Sequence, residues 1–211
     1  MAEKLFVSNA QESSRMFKSN FYEAFSKIHF TVPIFLFVPV VAYFIYLSIV
    51  TYHLSALYII LFIAAGIFAW TFVEYILHRF LFHYKPTSEF GKRVHFVFHG
   101  VHHDYPNDKN RLVMAPAVSV PLAFAFYYSF RYLIGEAYVA PFFSGFVMGY
   151  LFYDLSHYAI HHFSFNNGFW NKIKQHHMIH HYRDHDNGYG VSSKFWDLIF
   201  RTDFKDVNPN K

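Results

Sequence analysis

Apolar residues in this chain are gathered into four long runs instead of alternating with polar ones. The runs are residues 32–50, 54–73, 113–134 and 138–155. Each approaches the roughly 20 residues that a helix needs to cross the hydrocarbon layer of a membrane. Three residues separate the first run from the second and the third from the fourth, so each pair predicts two antiparallel helices joined by a tight turn.

The distribution of basic residues orients these two hairpins. If both enter from one side, that side holds residues 1–29, 74–111 and 156–211, and with them 17 of the 18 Lys and Arg residues, Arg131 being the exception. By the positive-inside rule the shared side is cytoplasmic. We therefore predict an all-α integral membrane protein of one domain, residues 1–211. Four transmembrane helices form two hairpins, residues 1–29 are a cytosolic or interfacial lead-in, and residues 74–111 and 156–211 form a cytosolic helical cap.

Composition supports this prediction and excludes every type of site that needs cysteine. Hydrophobic residues make up 54% of the chain and charged residues only 15%, a balance typical of membrane proteins. The chain has no cysteine, which excludes disulfides, iron–sulfur clusters, thiolate haem and a cysteine nucleophile. The net charge of +4 is explained by the positive-inside bias, and no nucleic-acid partner is expected.

Histidine is the residue type that remains for chemistry. The chain has 16 histidines, and most fall in four clusters on the predicted cytoplasmic side. The clusters are HRFLFH (78–83), HGVHH (99–103), HYAIHH (157–162) and HHMIHH (176–181). On a helix, the spacing His-x-x-His-His places three imidazoles within roughly 100° of one face. Neutral imidazole is a common ligand of transition metals, so the pattern predicts metal binding.

An internal repeat selects the candidate ligands. His78 to His99 spans 21 positions and His157 to His177 spans 20, so each half of the chain runs hairpin, spaced histidine pair and His-x-x-His-His triplet. The ten histidines in register are His78, His83, His99, His102 and His103 in the first half and His157, His161, His177, His180 and His181 in the second. Ten imidazoles exceed what one ion can use, so we predict two metal ions with about five ligands each and a position open to an exogenous ligand.

The other histidines have no counterpart in the repeat or stand alone. His95, His162, His176 and His185 are interpreted as neighbours of the site, and His29 and His53 as polar tips at the membrane interface. Glu74 and Asp154 each precede a candidate ligand, His78 and His157, by about one helical turn. Their carboxylates are expected to accept the second ring N–H of those histidines.

These motifs, together with their flanks, resemble the integral-membrane fatty acid hydroxylase superfamily and, within it, the fatty acid 2-hydroxylases. The resemblance runs from about Arg15 to Arg201. It includes EYILHRFLFHYKP, HFVFHGVHHDYPNDKNRLVMAP, LFYDLSHYAIHH and HHMIHHYRDHDNGYGVSSKFWDLIF. The stretches RLVMAP (111–116) and GYGVSSKFWD (188–197) are similar to the 2-hydroxylases in particular.

The resemblance implies an O₂-dependent dimetal monooxygenase that hydroxylates C2 of a fatty acyl chain, in sphingolipids or free fatty acids. Its metal site falls on the same ten histidines, and it places Tyr153 and Asp154 where the acyl carbonyl end approaches the metals. Iron is the expected metal because zinc has no redox chemistry, although an all-nitrogen site can also take zinc in a purified preparation.

The resemblance also bears on partners and location. The acyl substrate comes from the bilayer. Eukaryotic relatives often carry a cytochrome b5 domain that has no counterpart here, so we expect a bacterial-type enzyme in the inner membrane. Its electrons would come from a separate cytochrome b5, ferredoxin or rubredoxin.

Two other functions stay open at this point. One is hydroxylation or desaturation of another lipid, a sterol or a carotenoid. The other is a non-enzymatic membrane protein that binds metal. A transport path would need polar residues through the bilayer, and apart from Arg131 near one end the apolar runs are almost free of them. This favours an enzyme.

Overall fold

The computed structural model describes residues 5–166 and 168–204, and every regular element within these residues is helical. In chain order the helices are α1 (Asn20–Phe25), α2 (Val32–Tyr46, prolonged by a π-helical turn, Leu47–Thr51), α3 (Ala56–Ile76, prolonged by a π-helical turn, Leu77–Phe82), α4 (Glu89–His95, prolonged by a π-helical turn, Phe96–Gly100), α5 (Val101–Asp104), α6 (Pro116–Ile134), α7 (Glu136–His162), α8 (Gly168–Tyr182) and α9 (Phe195–Phe200). The all-helical prediction is confirmed for the described residues.

Three helices in the described part of the chain are long and apolar enough to cross a membrane. They are α2 with its π-helical turn, α3 with its π-helical turn, and α6. Their outer surfaces expose large apolar side chains, such as Phe35, Ile60 and Tyr132. Contiguous exposed apolar surface of this kind suits contact with lipid rather than water. The chain is therefore an integral membrane protein.

The fourth predicted run lies within α7, which differs from the other long helices. At 27 residues α7 has the length to cross a bilayer. It packs against α2, α3 and α6, and most of its residues are buried. Because its neighbours are helices on several sides, its sequence includes small and polar residues such as Ser144, Gly145 and Tyr150. This explains why α7 is not among the three strongly apolar helices.

Glycines bring α3 and α7 into backbone contact. A Cβ added at Gly145 would lie 2.0 Å from the carbonyl oxygen of Ile63, and one at Gly66 would lie 2.0 Å from that of Phe142. One turn along α7, a Cβ at Gly149 would lie 2.6 Å from Cβ of Trp70. Small residues at such spacings let membrane helices approach closely, where van der Waals packing replaces the hydrophobic effect. The α3–α7 pair is the most extensive helix contact in the structure.

The two hairpin turns are as short as the sequence predicts. Ser55 caps α3 by accepting a hydrogen bond from the Tyr58 N–H. Gly135 joins α6 to α7 with a φ of +83°, a backbone conformation that glycine adopts without strain. Both α3 and α7 then continue beyond the predicted runs, to Phe82 and His162. Each hairpin thus carries histidines on the extension of its second helix.

We expect Gly145→Ala to destabilise the protein. The added methyl group meets the α3 backbone, which cannot rotate away, so the two helices must separate. Overpacking of this kind costs on the order of 1–3 kcal/mol. The measurement is the thermal unfolding midpoint of the detergent-solubilised protein.

Gly168→Ala is the matched control, because a Cβ at Gly168 meets nothing within 4 Å. It should leave the midpoint unchanged. Equal midpoints for the two variants would contradict the importance of the α3–α7 contact.

Candidate metal centre

The structure gathers the ten histidines of the repeat into two groups of five. Within each group, one ring nitrogen per residue lies within 4.8 Å of those of the other four. The first group is His78, His83, His99, His103 and His180, and the second group is His102, His157, His161, His177 and His181. All are buried except His83, which is partly exposed.

Each group takes four histidines from one half of the chain and one from the other. His180, in the second half, completes the first group, and His102, in the first half, completes the second. These two residues are equivalent in the repeat, since each is the middle histidine of its triplet. Each half thus gives its middle triplet histidine to the group of the other half. The two groups remain equivalent under the repeat, and neither half supplies five histidines to one group by itself.

The π-helical turn at the end of α3 explains why the two halves differ by one residue. His78 and His83 are five apart, which in an α-helix separates them by about 140° around the axis. The His83 N–H instead donates to the carbonyl oxygen of His78, at 3.1 Å, which is the i to i+5 bond of a π-helix. Both imidazoles consequently reach one group. The equivalent pair in α7, His157 and His161, is four apart and needs no such turn.

Ring nitrogens within each group approach one another too closely for hydrogen bonding alone to explain. In the second group, Nε2 of His177 lies 2.9 Å from Nε2 of His157, 3.0 Å from that of His161 and 3.0 Å from that of His181. In the first group, Nε2 of His99 lies 3.2 Å from Nε2 of His78 and 3.0 Å from that of His103. One imidazole nitrogen carries either one hydrogen or one lone pair, so no choice of tautomers satisfies three such contacts.

A cation at the centre of each group resolves this conflict, because every lone pair can then point inward. For metal–nitrogen bonds of about 2.1 Å, ligand atoms at right angles are separated by about 3.0 Å, close to the spacing described above. His102 gives a second indication, since it is buried and neither of its ring nitrogens has a hydrogen-bond partner among the described residues. The residues present therefore fit two metal ions.

Burial keeps these imidazoles in the neutral form that binds metal. Removal from water, followed by the neighbouring imidazoles, lowers the pKa of the cap histidines well below the ordinary value of 6.5. The histidines with this shift in pKa are His99, His102, His103, His161, His177, His180 and His181. At neutral pH their lone pairs are available without loss of a proton.

Backbone carbonyls, not carboxylates, orient two histidines of the first group. Nδ1 of His78 donates to the carbonyl oxygen of Tyr189, and Nδ1 of His180 to that of Asn187, at 2.7 Å. This leaves Nε2 of each ring directed at its group. The expectation that Glu74 accepts the second N–H of His78 is therefore wrong.

Glu74 instead holds the loop that supplies these carbonyls. Its carboxylate accepts hydrogen bonds from the N–H groups of Val191 and Ser192, at 2.9 and 2.8 Å, and from the Ser192 hydroxyl. Asp197 accepts the preceding N–H groups, those of Tyr189 and Gly190, at 2.9 and 2.8 Å. Two buried carboxylates thus fix the loop, and the loop fixes His78.

Asp154 also binds a loop and not a histidine. Its carboxylate accepts the Met114 N–H at 3.1 Å and the Tyr150 hydroxyl at 3.2 Å. The interpretation of Asp154 as the hydrogen-bond partner of His157 is therefore wrong. In the structure Asp154 ties the start of α6 to α7. The neighbouring Tyr153 stacks on His157 with 5.7 Å between ring centroids.

The four neighbouring histidines lie outside both groups. Nε2 of His176 contacts the Asp197 carboxylate at 3.2 Å, so it faces α9 and not the histidine groups. His185 is closest to the site, with Nε2 3.3 Å from Nδ1 of His103 and 2.7 Å from the carbonyl oxygen of His181. His162 packs on Tyr158, and His95 belongs to neither group.

A cavity of about 250 Å³ reaches both histidine groups from the side of α1 and α6. Its inner end is formed by His99, His102, His157, Tyr153 and Asp154. Apart from a few polar residues, the rest of the lining is apolar and aromatic. These lining residues come from the segment before α1, from α1 and the residue after it, from the turns that carry Phe82 and Phe98, from the start of α5, and from the stretch 111–118. Such a cavity suits an apolar ligand whose polar end meets the histidines.

Sequence reasoning missed the residues that support the histidines. The loop 187–192 was noted only as a stretch of family resemblance, and its carbonyl contacts to His78 and His180 have no sequence signature. The Glu74 contact joins residues 117 positions apart. The two glycines of this loop are its local signals of an unusual backbone: Gly188 has a φ of +70°, and a Cβ at Gly190 would lie 2.0 Å from the carbonyl oxygen of Ser193.

Comparison with known proteins gives consistent matches over most of the chain. Residues 63–202 match the family described as fatty acid hydroxylase. A dihydroceramide fatty acyl 2-hydroxylase of Arabidopsis thaliana is 36% identical over 193 residues, which cover 91% of this chain and 81% of the plant protein. A ceramide very long chain fatty acid hydroxylase of Schizosaccharomyces pombe is 43% identical over 147 residues, which cover 68% of this chain and 42% of the yeast protein.

The fold also matches a solved structure. The structure described as full-length scs7p, with only the hydroxylase domain visible, superposes with a TM-score of 0.84 at 36% identity. The match covers 91% of this chain and 72% of the other.

We expect Glu74→Ala to release the loop that orients His78. The change leaves the buried N–H of Val191 and the partly buried N–H of Ser192 without their acceptor, and each unpaired group costs about 1–3 kcal/mol. Amide hydrogen exchange at these two positions should become faster and the unfolding midpoint should fall.

Glu89→Ala removes another glutamate, whose side chain is 88% exposed, and should change neither measurement. Unchanged exchange at Val191 and Ser192 in Glu74→Ala would show that Asp197 alone holds the loop.

Proposed function

Because this chain belongs to the fatty acid hydroxylase family, we propose that it is an oxidoreductase that places a hydroxyl group on C2 of a fatty acyl chain. The observation that supports this most strongly is the pair of all-histidine groups at the inner end of an apolar cavity. The similar proteins from Arabidopsis thaliana and Schizosaccharomyces pombe are named for fatty acyl and ceramide hydroxylation, which favours an acyl substrate over a sterol or a carotenoid.

The ten histidines are proposed as the ligands of two metal ions. Each ion would be held by four imidazoles of one half and the middle triplet histidine of the other, His180 or His102. Iron is the proposed metal, because bound iron supplies the reductive activation of O₂ that hydroxylation of an unactivated C–H bond requires, whereas zinc has no redox chemistry. An all-imidazole site also accepts zinc.

The chain's own contribution to the reaction is to orient the substrate and to exclude water. The apolar lining of the cavity can hold an acyl chain, and the carbonyl end would lie beside Tyr153 and Asp154, next to His157. We propose that the Tyr153 hydroxyl donates a hydrogen bond to the acyl carbonyl oxygen. Asp154 keeps the wall around Met114 in place. C2, one bond from that carbonyl carbon, would then be the first carbon with C–H bonds to lie near the histidines.

The membrane arrangement follows from the same assignment. We propose that α7 is the fourth membrane-crossing helix, so that α2 with α3 and α6 with α7 form two hairpins of one domain, residues 1–211. The histidine groups and the cap would face the cytoplasm, as the distribution of Lys and Arg predicts. The chain has no cysteine for an iron–sulfur cluster. We also propose that electrons come from a separate protein of the cytochrome b5, ferredoxin or rubredoxin type, as the family resemblance implies.

The function is tested by expression in a host that makes sphingolipids, with iron supplied and an electron donor co-expressed. Mass spectrometry of the lipid acyl chains should show one added oxygen, located at C2 by fragmentation. Addition elsewhere on the chain, or no addition by protein with two bound ions, would contradict the proposal. A hydroxylated sterol or carotenoid would point to the alternative substrates.

We expect the ligand set to be visible in metal content as well as in activity. His180→Ala should lose about one of two bound ions and the activity, because it removes a ligand that the first group takes from the other half. The measurement is the metal-to-protein ratio of the purified protein, together with the amount of hydroxylated lipid.

His176→Ala is the control, since His176 is a neighbour of His180 in α8 and contacts Asp197 instead of a histidine group. It should keep both ions and most of the activity. Equal metal loss from the two variants would overturn the assignment of ligands.

A further inference from the structure

The segment before α1 and α1 itself close one side of the cavity. Met16 and Phe17 precede the helix and Tyr22 and Phe25 lie on it, and all four line the cavity. The other lining residues include Tyr153 and three of the ten histidines, His99, His102 and His157. The part of the wall that α1 and the segment before it form thus comes from a stretch of the chain that precedes all ten histidines.

Buried charges hold this wall against the loop that follows α5. Glu23, buried on α1, accepts the N–H groups of Met16 and Phe17, at 2.9 and 3.0 Å, and pairs with Arg111 at 2.8 Å. Arg111 lies 3.3 Å from Asp108. Removing one partner of a buried ion pair is strongly destabilising, so the pairing fixes the position of α1.

The outer surface of α1 is aromatic and its surroundings are basic. Phe21, Tyr22 and Phe25 are 65%, 62% and 62% exposed. The exposed basic residues nearby are Arg15, Lys18 and Lys27. Aromatic rings flanked by Lys and Arg are typical of helices that lie in the headgroup region, where the rings enter the acyl layer and the cations meet anionic lipid.

Continuity with the membrane-crossing helices identifies the bilayer as the occupant of this surface. Ile28 and Phe30, which follow α1, pack against the buried residues Leu112, Val113 and Tyr158. α2, the first membrane-crossing helix, begins at Val32. Since α1 ends at Phe25, only six residues separate the two helices, which keeps α1 near the membrane surface.

We propose that α1 lies in the cytoplasmic leaflet and forms one side of a portal through which the lipid passes from the bilayer into the cavity. Tyr22 and Phe25 have a special place in this portal, because each is exposed on the outer surface and also lines the cavity. A lipid that moves inward between α1 and α6 would contact both rings before its polar end reaches the histidines. This inference rests on the proposed function, since it takes a bilayer lipid as the ligand.

Single cysteines can test the portal because the natural chain has none. A fluorescent maleimide on Phe21→Cys, in vesicles of phosphatidylcholine and phosphatidylglycerol, should be quenched by lipids that carry a nitroxide near the headgroup. It should be shielded from iodide in the water. Strong iodide quenching without nitroxide quenching would place α1 in the aqueous phase and overturn the proposal.

The second measurement asks whether the lipid passes α1. A ceramide with a photoactivatable acyl chain should cross-link to the unlabelled protein. A bulky maleimide adduct on Tyr22→Cys or Phe25→Cys should reduce cross-linking by roughly ten-fold, because the adduct takes up space on the path of the lipid; a ten-fold loss corresponds to about 1.4 kcal/mol of binding. Ala24→Cys is the matched control. Ala24 is exposed on the same helix but does not line the cavity, so its adduct should leave cross-linking unchanged.

The outcomes separate the portal from the reaction. Equal cross-linking for the adducts at positions 22, 24 and 25 would overturn the portal, whatever the activity of the protein. Position-dependent cross-linking without any C2 hydroxylation by the iron-loaded protein would instead support the portal and contradict the proposed function.

Discussion

The close approach of α3 and α7 is the contact on which the rest of the structure depends. The pair is held by close backbone packing at Gly66, Gly145 and Gly149, the kind of contact through which small residues let membrane helices associate. Both helices extend past this contact into the region that carries His78 and His157. The separation of the two helices at this contact therefore sets the separation of the two histidine pairs beyond it. α7 lies between α2, α3 and α6, which limits its freedom to move independently.

Above the helices, the structure has to keep ten imidazoles close together and uncharged. Carbonyls of the loop 187–192 fix two of the rings, and that loop is held by Glu74 and Asp197, two carboxylates that themselves contact none of the ten histidines. These two carboxylates thus lie one layer away from the histidine groups. An ion held by either group would have all-nitrogen surroundings, while the carboxylates still stabilise the loop through hydrogen bonds.

The sequence was sufficient to select the histidines that come together, because a repeated spacing is visible without a structure. It was not sufficient to pair them. The spacing of His102 and His180 is the same in either arrangement, and only the packing of the two halves shows that each completes the opposite group. The five-residue step from His78 to His83 was equally unreadable, since its meaning depends on a π-helical turn. The prediction for Glu74 is wrong because the sequence shows only that His78 lies one turn along the same helix, whereas the carboxylate contacts Val191, 117 positions away.

The exchange of His102 and His180 has a mechanical consequence. An ion bound by either group would be attached to both halves of the chain at once, so two such ions would form two cross-links between the hairpins on the cap side of the membrane. Affinity for metal would then contribute directly to the association of the halves, since ligands that converge only in the folded protein couple binding to folding. The two ions would therefore stabilise the folded structure by joining its two halves, in addition to any part they take in chemistry.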